Sequence, residues 1–222
     1  MRPLLILVAD KQMEEGLKAF FSSKGADGRP RLWHFKLGCA SFEFDPEQDI
    51  LRDPASHDCE VYQDGAELLR AQRGSYARAL VILDQQFPGS PGAENIRAEM
   101  LTSLHASGWP ADSVDVVVIQ PCLEAWLWSD DVHVEAAFGH TRPPSLRSVM
   151  EAEGYWPAGA AKPAPNGTGA DLKAATAFAL HRGQQKLHSL TFRKVFGSPR
   201  NISLCVEPGF QQMSATLQRW FP

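Results

Sequence analysis

A parallel β-sheet layered between helices is the fold this sequence predicts. Three apolar runs predict it: Leu4 to Val8, Ala79 to Leu83 and Val114 to Ile119. Apart from Asp115 in the third, each run is apolar throughout rather than alternating, as expected of strands buried on both faces. Helical segments separate them, and strand–helix–strand–helix–strand is the pattern of a parallel sheet covered on both sides.

The elements follow in order. After Leu4 to Val8, Met13 to Ser23 reads as a helix with Met13, Leu17, Phe20 and Phe21 on one face. Gly25 and Gly28-Arg29-Pro30 end it. Arg31 to Phe44 mixes alternating and aromatic residues and predicts a strand pair or an extended segment. Residues 45–58 are polar, with two prolines, and read as a loop. Ala66 to Arg73 is a short helix, and Phe87 to Pro91 a loop. Ala93 to Ser107 is a helix that Gly108-Trp109-Pro110 stops, with Ile96, Met100, Leu101 and Leu104 on one side. Leu123 to Ser129 opens another helix beyond the third strand. Leu146 to Glu153 is a short helix, and the Pro/Gly stretch 157–169 a loop. Asp171 to Gln185 and Lys186 to Phe196 read as helical. Pro208 marks the start of a last helix, with Phe210, Met213, Leu217 and Trp220 as its stripe.

A chain of 222 residues fits one good-sized domain or a domain with an appendage. At 44% hydrophobic and 22% charged, a packed globular core is expected. No apolar run approaches the roughly 18 residues that span a bilayer, so no membrane association is expected. The N-terminus enters its first strand without a signal-peptide layout, and a cytoplasmic location is the expectation. Cys39, Cys59, Cys122 and Cys205 are far apart and form no C-x-x-C pair, so they read as buried thiols rather than a zinc site.

Charge is unevenly spread. Residues 1–140 carry 12 Lys+Arg against 22 Asp+Glu, a balance of -10, and residues 141–222 carry 10 against 4, a balance of +6. The division is therefore an α/β core over 1–140 and a basic helical extension over 141–222 packed on it. The basic part faces either nucleic acid, an acidic protein surface, or this chain's own acidic half.

Candidate chemistry lies at the strand ends. Asp10 follows the first strand, Asp84 ends the second and Glu124 follows the third. Ligands of open α/β sheets bind outside the carboxyl ends of the strands. Carboxylates converging there suit a hard cation such as Mg²⁺, and two such ions can clamp a phosphodiester. Helix capping is the competing role for Asp10 and Asp84, and N-terminal charge complementarity that for Glu124. Asp53 and His57 suit either a hydrolytic pair or an Asp-Pro turn with a surface His. Trp126 and Trp128, two apart on a helix, cannot share a face, so one is core and Trp126 is a candidate interface residue. His181 and His188, with Lys11, Lys162, Arg182, Lys186, Arg193 and Lys194, form either a solvated surface or contacts to phosphate or a protein partner. No Walker loop and no G-x-G-x-x-G is present, which argues against ATP binding by this chain.

Val8-Ala9-Asp10-Lys11-Gln12-Met13-Glu14, Asp84-Gln85-Gln86, Pro121-Cys122-Leu123-Glu124-Ala125-Trp126-Leu127-Trp128-Ser129-Asp130 and the closing Phe210 to Phe221 resemble a group of bacterial TOPRIM-like proteins of phage-defence loci, similar to small components of methylation-associated defence systems. The resemblance implies a TOPRIM-like sheet and, in active members, a Glu after the first strand and an Asp-x-Asp after a later one holding Mg²⁺ for strand cleavage or joining. Here Ala9 stands at the Glu position and Gln86 at the second Asp. Fewer anionic ligands mean weaker hold on a cation. The resemblance therefore implies a degenerate subunit of an anti-phage system that binds a partner, an ATPase, and nucleic acid. An active Mg²⁺-dependent nuclease using Asp10, Asp84 and Glu124 is the alternative.

Overall fold

Four parallel strands form one sheet in the order β2-β1-β3-β4: β1 (Leu5–Val8), β2 (Ile50–Leu51), β3 (Ala79–Asp84) and β4 (Val114–Ile119). The computed structural model describes residues 1–22, 33–129, 131–159, 169–182, 189–197 and 205–222. The α/β class and the parallel sheet follow the expectation.

Side chains alternate across the sheet and feed two cores. Leu4, Ile6, Val8, Leu80, Ile82, Val117 and Ile119 enter one core. Leu5, Leu7, Ala79, Val81, Leu83, Val116 and Val118 enter the other. The second core is closed by α4 (Asp58–Arg70), through Val61 and Leu69, and α5 (Ala93–Ala106), through Ile96, Met100 and Leu104. On the first face lie α1 (Lys11–Phe21), α2 (Trp33–Leu37), α6 (Glu124–Leu127), α7 (Asp131–Phe138), α8 (Leu146–Ala152), α9 (Gly169–Arg182), α10 (Ser189–Phe196) and α11 (Pro208–Trp220). That core draws on residues before and after position 140, so the basic extension shares it with the rest of the chain.

Helix α1 shows what anchors this face. Met13, Leu17, Phe20 and Phe21 are all buried, at roughly 1.5–3 kcal/mol each for a large apolar side chain. Its i,i+4 pair, Lys18 Nζ to Glu14 Oε1 at 2.9 Å, contributes about 0.5 kcal/mol. Burial decides where α1 lies. At the sheet edge, α11 covers β4: Gln212 Nε2 donates to Val116 O at 2.8 Å. Gly209 lets the start of α11 approach, since a Cβ there would come 2.7 Å from Val118 O.

Connectivity places a crevice. From β1 the chain runs to β2 on one side, and from β3 it runs to β4 on the other. Adjacent strands whose connections diverge in this way leave an opening beyond their carboxyl ends, the switch point of open α/β sheets. Val8 pairs with Ile82 in register. Two residues further, Asp10 and Asp84 flank that opening.

Three segments differ from the sequence expectation. No strand pair forms among the described residues of 31–44; Trp33–Leu37 is helical instead, because Trp33 and Leu37 spaced four apart both reach the core. The polar stretch 45–58 holds a short helix, α3 (Pro46–Asp49), capped by Asp45, and then the edge strand β2. Helix α4 starts at Asp58, not Ala66; its first two turns bury only Val61 and Gly65, too little apolar signal to read from sequence.

Helix α1 crosses α10 at Gly16, where a Cβ would fall on the Phe196 ring. Replacing glycine inside a helix gains about 1 kcal/mol in propensity, but forcing bulk into a packed contact costs about 1–3 kcal/mol. Gly16→Leu should therefore lower the chemical-denaturation stability by about 1 kcal/mol or more, read as a reduced midpoint at unchanged slope.

Candidate metal centre

Asp84 is the last residue of β3 and is 1% exposed. The sheet carries it inward, and three elements bring acids to it. Asp10 arrives from the end of β1, Asp58 from the first turn of α4 and Glu124 from the first turn of α6. Ligand atoms of Asp10, Asp58 and Asp84 lie within 4.8 Å of one another, and so do those of Asp84, Cys122 and Glu124. Asp84 belongs to both groups.

Each member is positioned by its own contact. Asp10 caps α1, its Oδ1 accepting from Met13 N at 2.8 Å, so the capping role and convergence on the site hold together. Asp58 Oδ1 accepts from the Asp84 backbone N–H at 2.7 Å. The Cys122 thiol bonds the Glu124 carboxylate. Lys173, on α9, places its Nζ 3.8 Å from Asp84 Oδ2 and is half-exposed.

Burial and like charge shape the electrostatics. Desolvation, with repulsion from Asp58, Asp10 and Glu124, drives Asp84 well above the usual carboxylate range. Desolvation raises Glu124 too, against the opposing thiol bond and Lys173. Asp58 is pushed up to about 6, mainly by burial, while the Asp84 N–H pulls the other way. The Lys173 ammonium is held protonated by Asp84 and Glu124, which outweigh its own desolvation.

Other buried acids in this chain are treated differently. Asp115, on β4, accepts from Arg97 Nη2 and Val116 N at 2.8 Å, from Thr216 Oγ1 at 2.6 Å and from Arg219 Nη2 at 3.2 Å, and its acidity rises. Asp49 takes Arg2 Nη2 at 2.7 Å and Asp45 N at 2.7 Å. Glu207 takes Gln120 N and Phe210 N at 2.8 Å and Trp126 Nε1 at 2.6 Å. By contrast, Asp84 Oδ1 and Glu124 Oε2 are buried with no hydrogen-bond partner among the described residues. Buried polar atoms are paired in nearly all cases, so orphaned oxygens in two neighbouring acids call for a missing ligand. Oxygen donors of several carboxylates fit a hard divalent cation.

Asp10, Asp84 and Glu124, the three acids expected at the strand ends, are thus brought to one locus. Asp58, Cys122 and Lys173 join them without having been anticipated. Asp58 had no strand to announce it, and Cys122 reads from sequence only as a buried thiol. Gln86 is exposed.

Trp126 is not an interface residue: it is 0% exposed, as is Trp128, because Glu207 satisfies its indole N–H and both rings pack in the core. Asp53 accepts from Ala55 N at 3.0 Å and Ser56 Oγ at 2.9 Å, and His57 is the N-cap of α4, so this pair builds a turn. Lys11, Arg182, Arg193 and Lys194 are exposed. Arg193 Nη1 reaches Glu15 Oε2 at 3.3 Å. Lys162, Lys186, His188 and Asp130 lie outside the described residues. Cys39, Cys122 and Cys205 are buried as expected, while Cys59 is only half-buried.

Asp58, Asp84 and Glu124 each keep their protons to higher pH in the folded state than in the unfolded one. Between about pH 4 and their folded values the native state holds more protons, so stability falls as pH rises, by at most about 1.4 kcal/mol per pH unit for each group. In EDTA, thermal unfolding should show stability dropping from pH 4.5 to 7. Asp84→Asn should flatten that drop and stabilise the protein at pH 7.5 by about 1–2 kcal/mol; a destabilised variant with an unchanged pH profile would mean that the cluster carries no strain.

No family model matches this chain, and neither a curated protein nor a solved structure matches it.

Proposed function

We propose that this chain is a divalent-cation-dependent phosphodiester hydrolase of the nuclease type, with Mg²⁺ or Mn²⁺ held by Asp10, Asp58, Asp84 and Glu124. One observation carries the reading: two adjacent buried carboxylates each keep an oxygen without a partner, in a chain that satisfies Asp49, Asp115 and Glu207 with donors. The resemblance to TOPRIM-like proteins led to an expectation of lost ligands at Ala9 and Gln86. Asp58, supplied by α4, adds a carboxylate that offsets those losses.

Bound there, a divalent cation would supply Lewis-acid activation of a phosphodiester and of water. The chain's own groups do the rest. Hydrogen bonds from Met13 N and Asp84 N fix Asp10 and Asp58 before any substrate arrives. Asp84 and Glu124, both buried, would hold the cation from the interior of the site. The protonated Lys173 ammonium, half-exposed above Asp84, attracts the phosphate and offsets charge developing on it.

A second reading also has an observation behind it. Lys173 contacts Asp84 as a built-in counter-ion, as in a non-catalytic subunit that serves a phage-defence system by binding an ATPase. A single half-exposed ammonium at 3.8 Å from Asp84 Oδ2 leaves Asp84 Oδ1 and Glu124 Oε2 without a partner among the described residues, and the catalytic reading is preferred on that ground. No helix of the described residues is long and apolar enough to cross a membrane.

Supercoiled plasmid incubated with the pure protein and Mg²⁺ or Mn²⁺ tests this directly. Nicking should appear with the metal, vanish in EDTA and vanish in Asp84→Ala. A wild-type protein that leaves both the plasmid and a single-stranded oligonucleotide intact with both metals would rule out hydrolysis and return the chain to the subunit reading.

A further inference from the structure

Away from the acidic cluster, an open cleft of about 760 Å³ lies between the turn after α7, helix α8 and the last turn of α9. His140, Arg142, His181 and Arg182 line it, and among the described residues none that lines it is acidic. His140 donates Nε2–H to Pro144 O at 2.8 Å, which fastens the turn that carries Arg142. Basic residues at the end of α9 complement the helix dipole. That accounts for His181 and Arg182 but not for Arg142, which comes from a different segment and converges on them.

An exposed aromatic ring packs on the same helix, α9. Tyr155, 42% exposed, stacks on Phe178 of α9 with ring centroids 4.3 Å apart. Phe178 is one helical turn before Arg182. One Tyr155 face is taken by Phe178, and the exposed part of the ring remains for a base. Cations that hold phosphates together with a ring that stacks bases are the combination by which single strands are bound without regard to sequence. The guanidinium groups of Arg142 and Arg182 suit phosphate oxygens by their forked donors.

We propose that this cleft seats the backbone of a single-stranded nucleic acid. The inference deepens the hydrolase reading by naming its substrate class. Helix α9 links the two places: Lys173 in its first turns overlooks Asp84, and His181 in its last turn borders the cleft, about 12 Å further along the axis at 1.5 Å per residue. A strand a few nucleotides long covers that distance.

The test uses the full chain in EDTA, so that binding is read without metal and without cleavage. Fluorescence anisotropy of a labelled 12-nucleotide single-stranded DNA should give salt-dependent binding. Arg142→Ala/Arg182→Ala should weaken it about tenfold or more and lower the slope of log K against log salt by about 1.4, each phosphate contact on a single strand being worth about 0.7. Tyr155→Ala should weaken it several-fold with the slope unchanged. Both arginines are exposed, and melting curves should confirm that the variants fold. Asp84→Ala should bind the oligonucleotide at least as well as the wild type. An oligonucleotide that does not bind, an arginine double variant indistinguishable from wild type, or ATP binding as tightly as the 12-mer would each overturn the proposal. Binding that follows these expectations in a protein that, given Mg²⁺ or Mn²⁺, cuts neither plasmid nor the 12-mer would leave the cleft in place and remove only the hydrolase.

Discussion

Desolvated like charge at the ends of β1 and β3 is the constraint that most of this molecule answers to. A buried carboxylate is costly unless donors surround it, and four carboxyl groups near one another raise that cost further. The parallel sheet makes the arrangement unavoidable: register puts Asp10 level with Asp84, and the diverging connections open the crevice between them. Helix α4 then adds Asp58 and the turn after β4 adds Glu124. A fold selected for stability alone would place an amide or an apolar group at Asp84. Retaining an acid there makes sense if a cation completes the site.

The rest of the charge distribution fits around that locus. The basic half of the chain turns partly inward: Lys173 meets Asp84, Arg193 meets Glu15 and Arg219 meets Asp115. Part of the charge asymmetry is thus satisfied within the chain. Glu207 plays the structural counterpart of Asp84. Its carboxylate ties the backbone after β4, the Trp126 indole and the start of α11 into one unit. That anchoring fixes the turn carrying Cys122 and Glu124, so a fully bonded acid positions the turn that an underbonded one needs.

Much of this was legible in the residues. Three apolar runs, broken only by Asp115 in the third, marked the buried strands because both sheet faces are covered, and polar residues at their ends marked Asp10, Asp84 and Glu124. Buried stripes identified α1, α5 and α11. Less could be read where apolar content is low. β2 is two residues long and depends on its neighbour for existence, and the first half of α4 presents a mostly polar surface. Asp58 therefore gave no signal, although its ligand atom lies within 4.8 Å of those of Asp10 and Asp84. Trp126 misled for the opposite reason: a pair two apart implies two faces, but the layers on this side of the sheet are deep enough to bury both. Lys173 was invisible because its partner lies 89 positions away in the chain.

Crystals grown without metal and then soaked in Mn²⁺ offer the most direct test, read by anomalous scattering at the manganese edge. The account predicts a peak within coordination distance, about 2.2 Å, of Asp84 Oδ1, with Asp10, Asp58 or Glu124 completing the shell and Lys173 drawn away from Asp84. Featureless anomalous density at that place in well-soaked crystals, with Lys173 still on Asp84, would contradict it.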